Sequence, residues 1–353
     1  ASHCDLTGHV DYVLAFVLEG TAWDGPSQGD AMGHPHWGFL QAHRLYMGEG
    51  TLGQGMTWTI GTPSGNGSLG ADWPRFDVKT APCVGPLIIE SGGSLLIGDA
   101  AGNGTGSLSI GAGNVLELRA GGELQLGPGS RIVVENGGTL IMNGGDFNCF
   151  EGAELVLELG GQIQVVHDTQ WSLPSEFTWE WDGRLSVAAG VEFELNPDWN
   201  CNVNWSGVLS VEEHAEWILS PLGAFCNIEV LDDACMIGQG GVRWFDVNLN
   251  FDANAHLNAF CKQRWTRVNA WGNSFNGIHC TSRWRWHEGN ASALTIFHEH
   301  VAEADPFWRA LHATGITVQT NTSTPYISNC QFEHSTWSSN QPNGGTWRSC
   351  AWA

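Results

Sequence analysis

The chain alternates apolar and polar residues in short bursts that end on glycine. The clearest run is GAGNVLELRAGGELQLGPGSRIVVENGGTLIMNGG, residues 111–145. Gly113, Gly121, Gly129 and Gly137 lie eight residues apart, and after one deletion the series resumes at Gly144, Gly152 and Gly160. Between the glycines, Leu116, Leu124, Ile132 and Leu140 hold one position, while Leu118, Leu126, Val134 and Met142 hold another. Leu155 with Leu157, and Ile163 with Val165, continue the pair. Alternation with period two puts each pair on one face of a strand. Glu117, Arg119, Glu123, Gln125, Arg131 and Glu135 fall on the other face. Each unit is thus predicted to be a short strand closed by a glycine corner, where positive φ costs little.

A meander of hairpins would also give short alternating strands, but its loops vary in length. A fixed step with like corners predicts a solenoid, in which each unit stacks on its equivalent one coil later. Three eight-residue sides make a coil of about 24 residues, with coils about 4.8 Å apart. That length suits a right-handed parallel β-helix, and the left-handed hexapeptide type does not fit a step of eight. The expected fold is all-β: a right-handed parallel β-helix, a solenoid of three-sided coils, with an N-terminal cap. Regular glycine-rich coils are expected over 83–200. The pattern then loosens, through Leu185/Val187, Phe193/Leu195, Leu209/Val211 and Trp217/Leu219, into irregular Trp/Cys-rich coils with insertions over 201–353.

The C-terminal third uses other phrases: AFCKQRW, GIHCTSRW, GITVQTNTSTPYISNCQF and WRSCAWA. Cys261 and Cys280 are 19 residues apart, and Cys330 and Cys350 are 20 apart, close to coil length. GITV with YISNCQF resembles the coils of the pectate-lyase-like right-handed β-helix superfamily, across most of residues 85–353. The resemblance implies architecture; the fold hosts lyases, hydrolases, adhesins and tailspikes alike. Residues 1–82 lack the repeat. A solenoid end exposes core and strand edge, so this segment is read as the cap. No comparable cap follows Ala353, so further domains, or a partner over the last coil, are expected there.

Charge narrows the partners. Thirty-seven Asp and Glu face 14 Lys and Arg, a formal net charge of -23. Such a surface repels nucleic acid and anionic membranes. It also weighs against a polyanionic substrate such as pectin, unless divalent cations offset the charge. No apolar run reaches the length of a membrane span. Ten cysteines are compatible with an oxidising compartment. A location outside the cell or on its surface is expected.

The candidate chemistry lies where the refrain breaks down. Asp232 and Asp233, in EVLDDACMIGQGG, faintly resemble the paired aspartates of polygalacturonase-type hydrolases, and two carboxylates supply an acid and a base for inverting hydrolysis. The other signatures of that family (Asn-Thr-Asp upstream, Gly-His-Gly downstream, Arg-Ile-Lys) are missing, so a solvated turn is the competing reading. Glu212, Glu213 and His214 lie about one coil earlier, and Asp252 and His256 about one coil later. In register they would form an acidic column able to bind Ca²⁺. Pectate lyases use Ca²⁺ in that way with a basic residue nearby, for which Arg243, Arg264, Arg267, Arg283 and Arg285 are candidates.

His298 and His300 share a strand face, with Glu303, Asp305 and His312 following, a pattern a transition metal accepts. Residues 302–313 read as a short helix or loop inserted in a coil. His34, His36 and Trp37 form a second histidine cluster, in the cap. The dense tryptophans, among them Trp265, Trp284, Trp286 and Trp308, are either a platform for sugar rings, with Arg283 and Arg285 beside them, or large core residues. Disulfides Cys4–Cys83 and Cys226–Cys235 are possible staples, while Cys261/Cys280 and Cys330/Cys350 are read as thiols in adjacent coils.

Two functions follow. The first is a secreted or cell-surface scaffold with a structural, adhesive or carbohydrate-binding role, part of a longer protein and facing a polysaccharide or cell-surface glycan. The second is a polysaccharide lyase or glycoside hydrolase working in a groove on the C-terminal coils.

Overall fold

The computed structural model describes residues 86–98, 105–198, 201–221, 225–231, 233–252, 254–273, 276–280, 284–298, 307–320, 326–339, 346–348 and 350–352, and the backbones of eight short strands before them. Every described element is a strand or a turn; there is no helix among them. The chain divides into two compact units, Ala1–Ile163 and Gln164–Ala353. Both are parallel β-solenoids.

In the first unit the eight-residue step becomes the stacking register. Leu108 faces Ile132 and Ile132 faces Leu155, 24 and then 23 residues on. Leu116 faces Leu140, again 24 on. The deletion before Gly144 accounts for the shorter step. The insertion AAGNGT accounts for a longer one, since Leu95 faces Leu124 at 29. The inward residues Leu116, Leu118, Leu124, Leu126, Ile132, Val134, Leu140 and Met142 are all buried. Each such side chain contributes roughly 1.5–3 kcal/mol. Two glycines are needed at a corner for different reasons. Gly137 has φ of 79°, while a Cβ on Gly138 would lie 1.9 Å from the Ile110 carbonyl of the preceding coil. Parallel pairing reaches back to the strands Gly50–Leu52, Thr57–Ile60 and Ala81–Cys83. Of the rest of the expected cap only the backbones of five short strands are described, and Cys4 and the His34/His36/Trp37 cluster lie outside the described residues.

The second unit begins with the same coil length. Trp181 faces Trp205 and Phe193 faces Trp217, both 24 on. Then the coil tightens. The separate strands Glu216–Leu219 and Cys226–Val230 both pair with one strand, Gly241–Phe251. That strand turns the corner inside itself at Asp246, with φ of 52°. Arg267, Glu288, Ala310 and Asn329 repeat the corner at φ of 50°, 60°, 55° and 52°. A non-glycine residue there costs about 1–2 kcal/mol. Ion pairing at the corner offsets part of that cost. Arg267 grips Asp246 through both Nε and Nη2 at 2.5 Å, and this bond, with the charge of Glu288, pushes the guanidinium pKa up.

The shortened coils stack tryptophan on tryptophan. Trp244 faces Trp265, Trp265 faces Trp286, and Trp286 faces Trp308, at steps of 21, 21 and 22. Ring centroids of these neighbours are 5.8, 5.0 and 6.0 Å apart. Trp284 joins the group 5.5 Å from Trp286, with the rings 14° from parallel. The Nε1 groups of Trp179, Trp217, Trp244 and Trp284 are buried without a hydrogen-bond acceptor among the described residues. Beyond the corner, an asparagine column adds hydrogen bonds. Asn248 donates to Asn227 at 3.0 Å, Asn269 to Asn248 at 2.9 Å, and Asn290 to Asn269 at 2.7 Å. The segment expected as a helix or loop over 302–313 instead runs into the strand Phe307–Thr314, which continues the parallel ladder of Trp284–Ser292.

Candidate functional site

Trp265, Trp284, Trp286 and Trp308 are fully buried, at 0% exposure. Trp284 and Trp286 do share one face, but it is the inner one. The reading of this set as a sugar-stacking platform is therefore corrected to core; the alternation that aligned them pointed inward. Trp271, at 37% exposure, does reach solvent.

The expected acidic column does not assemble. Glu212, Glu213 and His214 form the turn that follows the strand Val208–Val211, and Asp252 precedes the strand His256–Ala259. They sit at opposite ends of the same side of the coil, about 13 Å apart for a four-residue strand. Asp233 faces His256 one coil on, but its side chain and all of Asp232 lie outside the described residues. The same holds for His300, Arg283 and the side chain of His298. Among the described residues no three His, Cys, Asp or Glu side chains gather as a metal site requires.

Cys226 and Cys235 are reduced thiols, not the disulfide considered above. Cys261 and Cys280, and Cys330 and Cys350, are reduced thiols within electrostatic reach of each other. Burial pushes Cys226 and Cys261 up to about 12, so they stay protonated and inert at neutral pH.

What the structure does assemble is a charged strip on one outer face of the second unit. On Gly241–Phe251 the alternation buries Val242 and Trp244 and turns Arg243 and Phe245 outward. On Lys262–Trp271 it turns Lys262, Arg264 and Thr266 outward. On Trp284–Ser292 it turns Arg285 and His287 outward. Register stacks Arg243, Arg264 and Arg285 in one column. The next column runs Phe245, Thr266, His287 and Arg309. No carboxylate stands in these two columns; Asp246 and Glu288 lie at the corner beside them. Eight of the chain's 14 Lys and Arg fall between Arg243 and Arg348, against seven of its 37 Asp and Glu.

Stacking like charges is unfavourable. Two guanidinium groups about 4.8 Å apart repel by roughly 1 kcal/mol even in water. Arg243 is relieved by Glu216 of the previous coil, at 2.6 Å. Arg264 and Arg309 have no ion-pair or hydrogen-bond partner among the described residues. The Arg264 and Arg309 guanidinium groups can therefore take an anion, two N–H donors each. Beside them, Glu213, His214, Gly238, Gln239 and Lys262 line a shallow cleft at the corner. Of this strip, sequence reasoning named Arg243, Arg264 and Arg285 as scattered candidates and missed Lys262 and Arg309. The missed signal was an Arg-Trp pair recurring every 21 residues: Arg243-Trp244, Arg264-Trp265 and Arg285-Trp286.

No family model matches the chain, and no curated protein matches it in sequence. Among solved structures, the crystal structure of a TibC-catalysed, hyper-glycosylated TibA fragment spanning 55–350 aligns with 87% of this chain and 97% of its own, at 11% identity and a TM-score of 0.29.

Proposed function

We propose that the chain is a secreted or cell-surface β-helix scaffold with an adhesive role, holding an acidic polysaccharide of a cell surface on its arginine column. The supporting observation is the Arg243–Arg264–Arg285 stack, three arginines at one outward position of successive coils on a chain that carries 37 Asp and Glu. The net charge of -23 does not prevent local binding. At physiological salt, charges farther than about 8 Å are largely screened. Among the described residues the strip lacks the carboxylate pair that glycoside hydrolysis needs, which favours holding over cutting.

The test is binding of the full chain to polygalacturonate and to a neutral glucan, with and without Ca²⁺. Binding to the acidic polymer alone is expected, weakening as salt rises and lost in Arg264→Ala/Arg285→Ala. Equal binding to both polymers, or to neither, refutes the reading. Release of unsaturated products or new reducing ends would move the assignment to the lyase or hydrolase alternative.

A further inference from the structure

The charged strip changes sign along its length. In the three coils before Gly241, the same outward positions carry Asp168, Glu192, Glu194 and Glu216, and no Lys or Arg. Register continues one face throughout: Gln170 faces Glu194, Glu192 faces Glu216, Glu194 faces Ile218, and Ile218 faces Arg243. Asp168 sits one coil from Glu192, accepting its backbone N–H at 2.9 Å. At those positions the next three coils carry Arg243, Lys262, Arg264 and Arg285, while Asp246 and Glu288 lie at the corner beyond them. The two halves meet at the 2.6 Å Arg243–Glu216 pair.

We propose that this face is a self-complementary interface, on which a second copy of this chain docks antiparallel about a two-fold axis through the Glu216–Arg243 step. A two-fold interface uses the same patch on both partners, so residue i meets j and j meets i. Turning the strip end for end sets the Glu192/Glu194 coil on the Lys262/Arg264 coil, and the Asp168 coil on the Arg285 coil. A parallel copy would set like charge on like. An anionic polymer answers only the basic half, and a cationic one only the acidic half. A second copy answers both. The inference thus goes beyond glycan binding, which involves the basic half alone.

The dimensions predict a weak, salt-sensitive contact. Six coils at about 4.8 Å span about 30 Å, and three outward positions span about 13 Å. That is roughly 800 Å² over both partners, below the usual 1,200–2,000 Å² of stable complexes. Association is therefore expected at low ionic strength or high local concentration, such as a crowded surface.

Sedimentation velocity of the full chain tests this at low and high salt, over a wide concentration range. Wild type is expected to self-associate at low salt and dissociate at high salt. Lys262→Glu/Arg264→Glu makes the face mostly acidic, and Glu192→Lys/Glu194→Lys makes it mostly basic. Each variant alone is expected to remain monomeric. An equimolar mixture is expected to restore a heterodimer about as tight as the wild-type pair, because every altered position then meets its complement. All four side chains point outward, and circular dichroism checks that both variants fold. Wild type that stays monomeric at low salt overturns the proposal, as does a folded mixture with no heterodimer. Polygalacturonate binding by Glu192→Lys/Glu194→Lys, whose arginine column is intact, reads the glycan function separately.

Discussion

Replacing Trp265 by alanine should locally melt the second unit. The indole is fully buried and packed between Trp244, Trp284 and Trp286, with centroids 5.8, 4.8 and 5.0 Å away. Its Nε1 donates to Gln263 Oε1 at 3.1 Å, and Gln263 is itself buried. Removing roughly 200 Å² of buried aromatic surface costs about 5 kcal/mol at 25 cal/mol per Å². Large-to-alanine changes in cores cost about 3–5 kcal/mol. The orphaned Gln263 oxygen adds about 1–3 kcal/mol unless water enters. Trp265→Phe keeps most of the packing and loses the hydrogen bond, so it should cost markedly less. Trp271→Ala, at a half-exposed indole, should fall within about 1 kcal/mol of wild type. Because a solenoid is held by nearest-neighbour coils, the loss should appear first in the coils on either side. Urea unfolding followed by circular dichroism gives the global effect, and amide exchange of residues 241–298 gives the local one. If Trp265→Ala and Trp271→Ala destabilise equally, the assignment of the tryptophan stack to the core is wrong.

Glycine corners give a second contrast. Gly138→Ala must displace the Ile110 carbonyl and should cost about 3 kcal/mol or more, whereas Gly190→Ala, at φ of 74° with open space around its Cβ, should cost about 1–2 kcal/mol in thermal unfolding. Glu117 is held below its ordinary pKa chiefly by its hydrogen bond from Arg119, so it contributes stability above its unfolded pKa that is lost as pH falls through the folded value. Glu117→Gln should therefore destabilise at neutral pH, by no more than about 1 kcal/mol because the pair is partly exposed, and the gap should close in acid. Cys261, raised to about 12 mainly by burial, contributes stability fully present below its unfolded pKa and lost as pH rises through the folded one. At mildly alkaline pH the native chain should resist iodoacetamide at Cys261 while the urea-unfolded chain is alkylated; mass spectrometry that finds Cys261 modified in the native chain contradicts the burial.

Where chemistry was expected, much of the reading turned on a distinction that alternation cannot make. Trp284 and Trp286 were correctly placed on one face. Period two is symmetric, however, and the same spacing describes an inner and an outer row. Arg283 and Arg285 beside them made both readings plausible. The Arg-Trp repeat was visible as a step of 21 but was obscured by the step of 24 that precedes it. That change has a local cause: two strands merge into Gly241–Phe251, with Asp246 absorbing the corner. An aspartate in the left-handed region leaves little trace in sequence, unlike the glycines of the first coils. The acidic column failed for a related reason. Glu212 and Asp252 are one to two coils apart in number but belong to different corners.

The sequence by itself determined the repeating unit: Leu and Ile in pairs, glycine at corners, and a coil of about 24 residues in the first unit. Those features are local, since each strand must bury one face and each corner must turn. Only the tertiary structure decided which residues meet across coils. It put the indoles together inside, the arginines together outside, and the two signs of charge on one face. A residue gained or lost within a strand would turn the following side chains to the opposite face, whereas the deletion before Gly144 and the insertion AAGNGT fall between strands and leave Ile132 on Leu155 and Leu95 on Leu124.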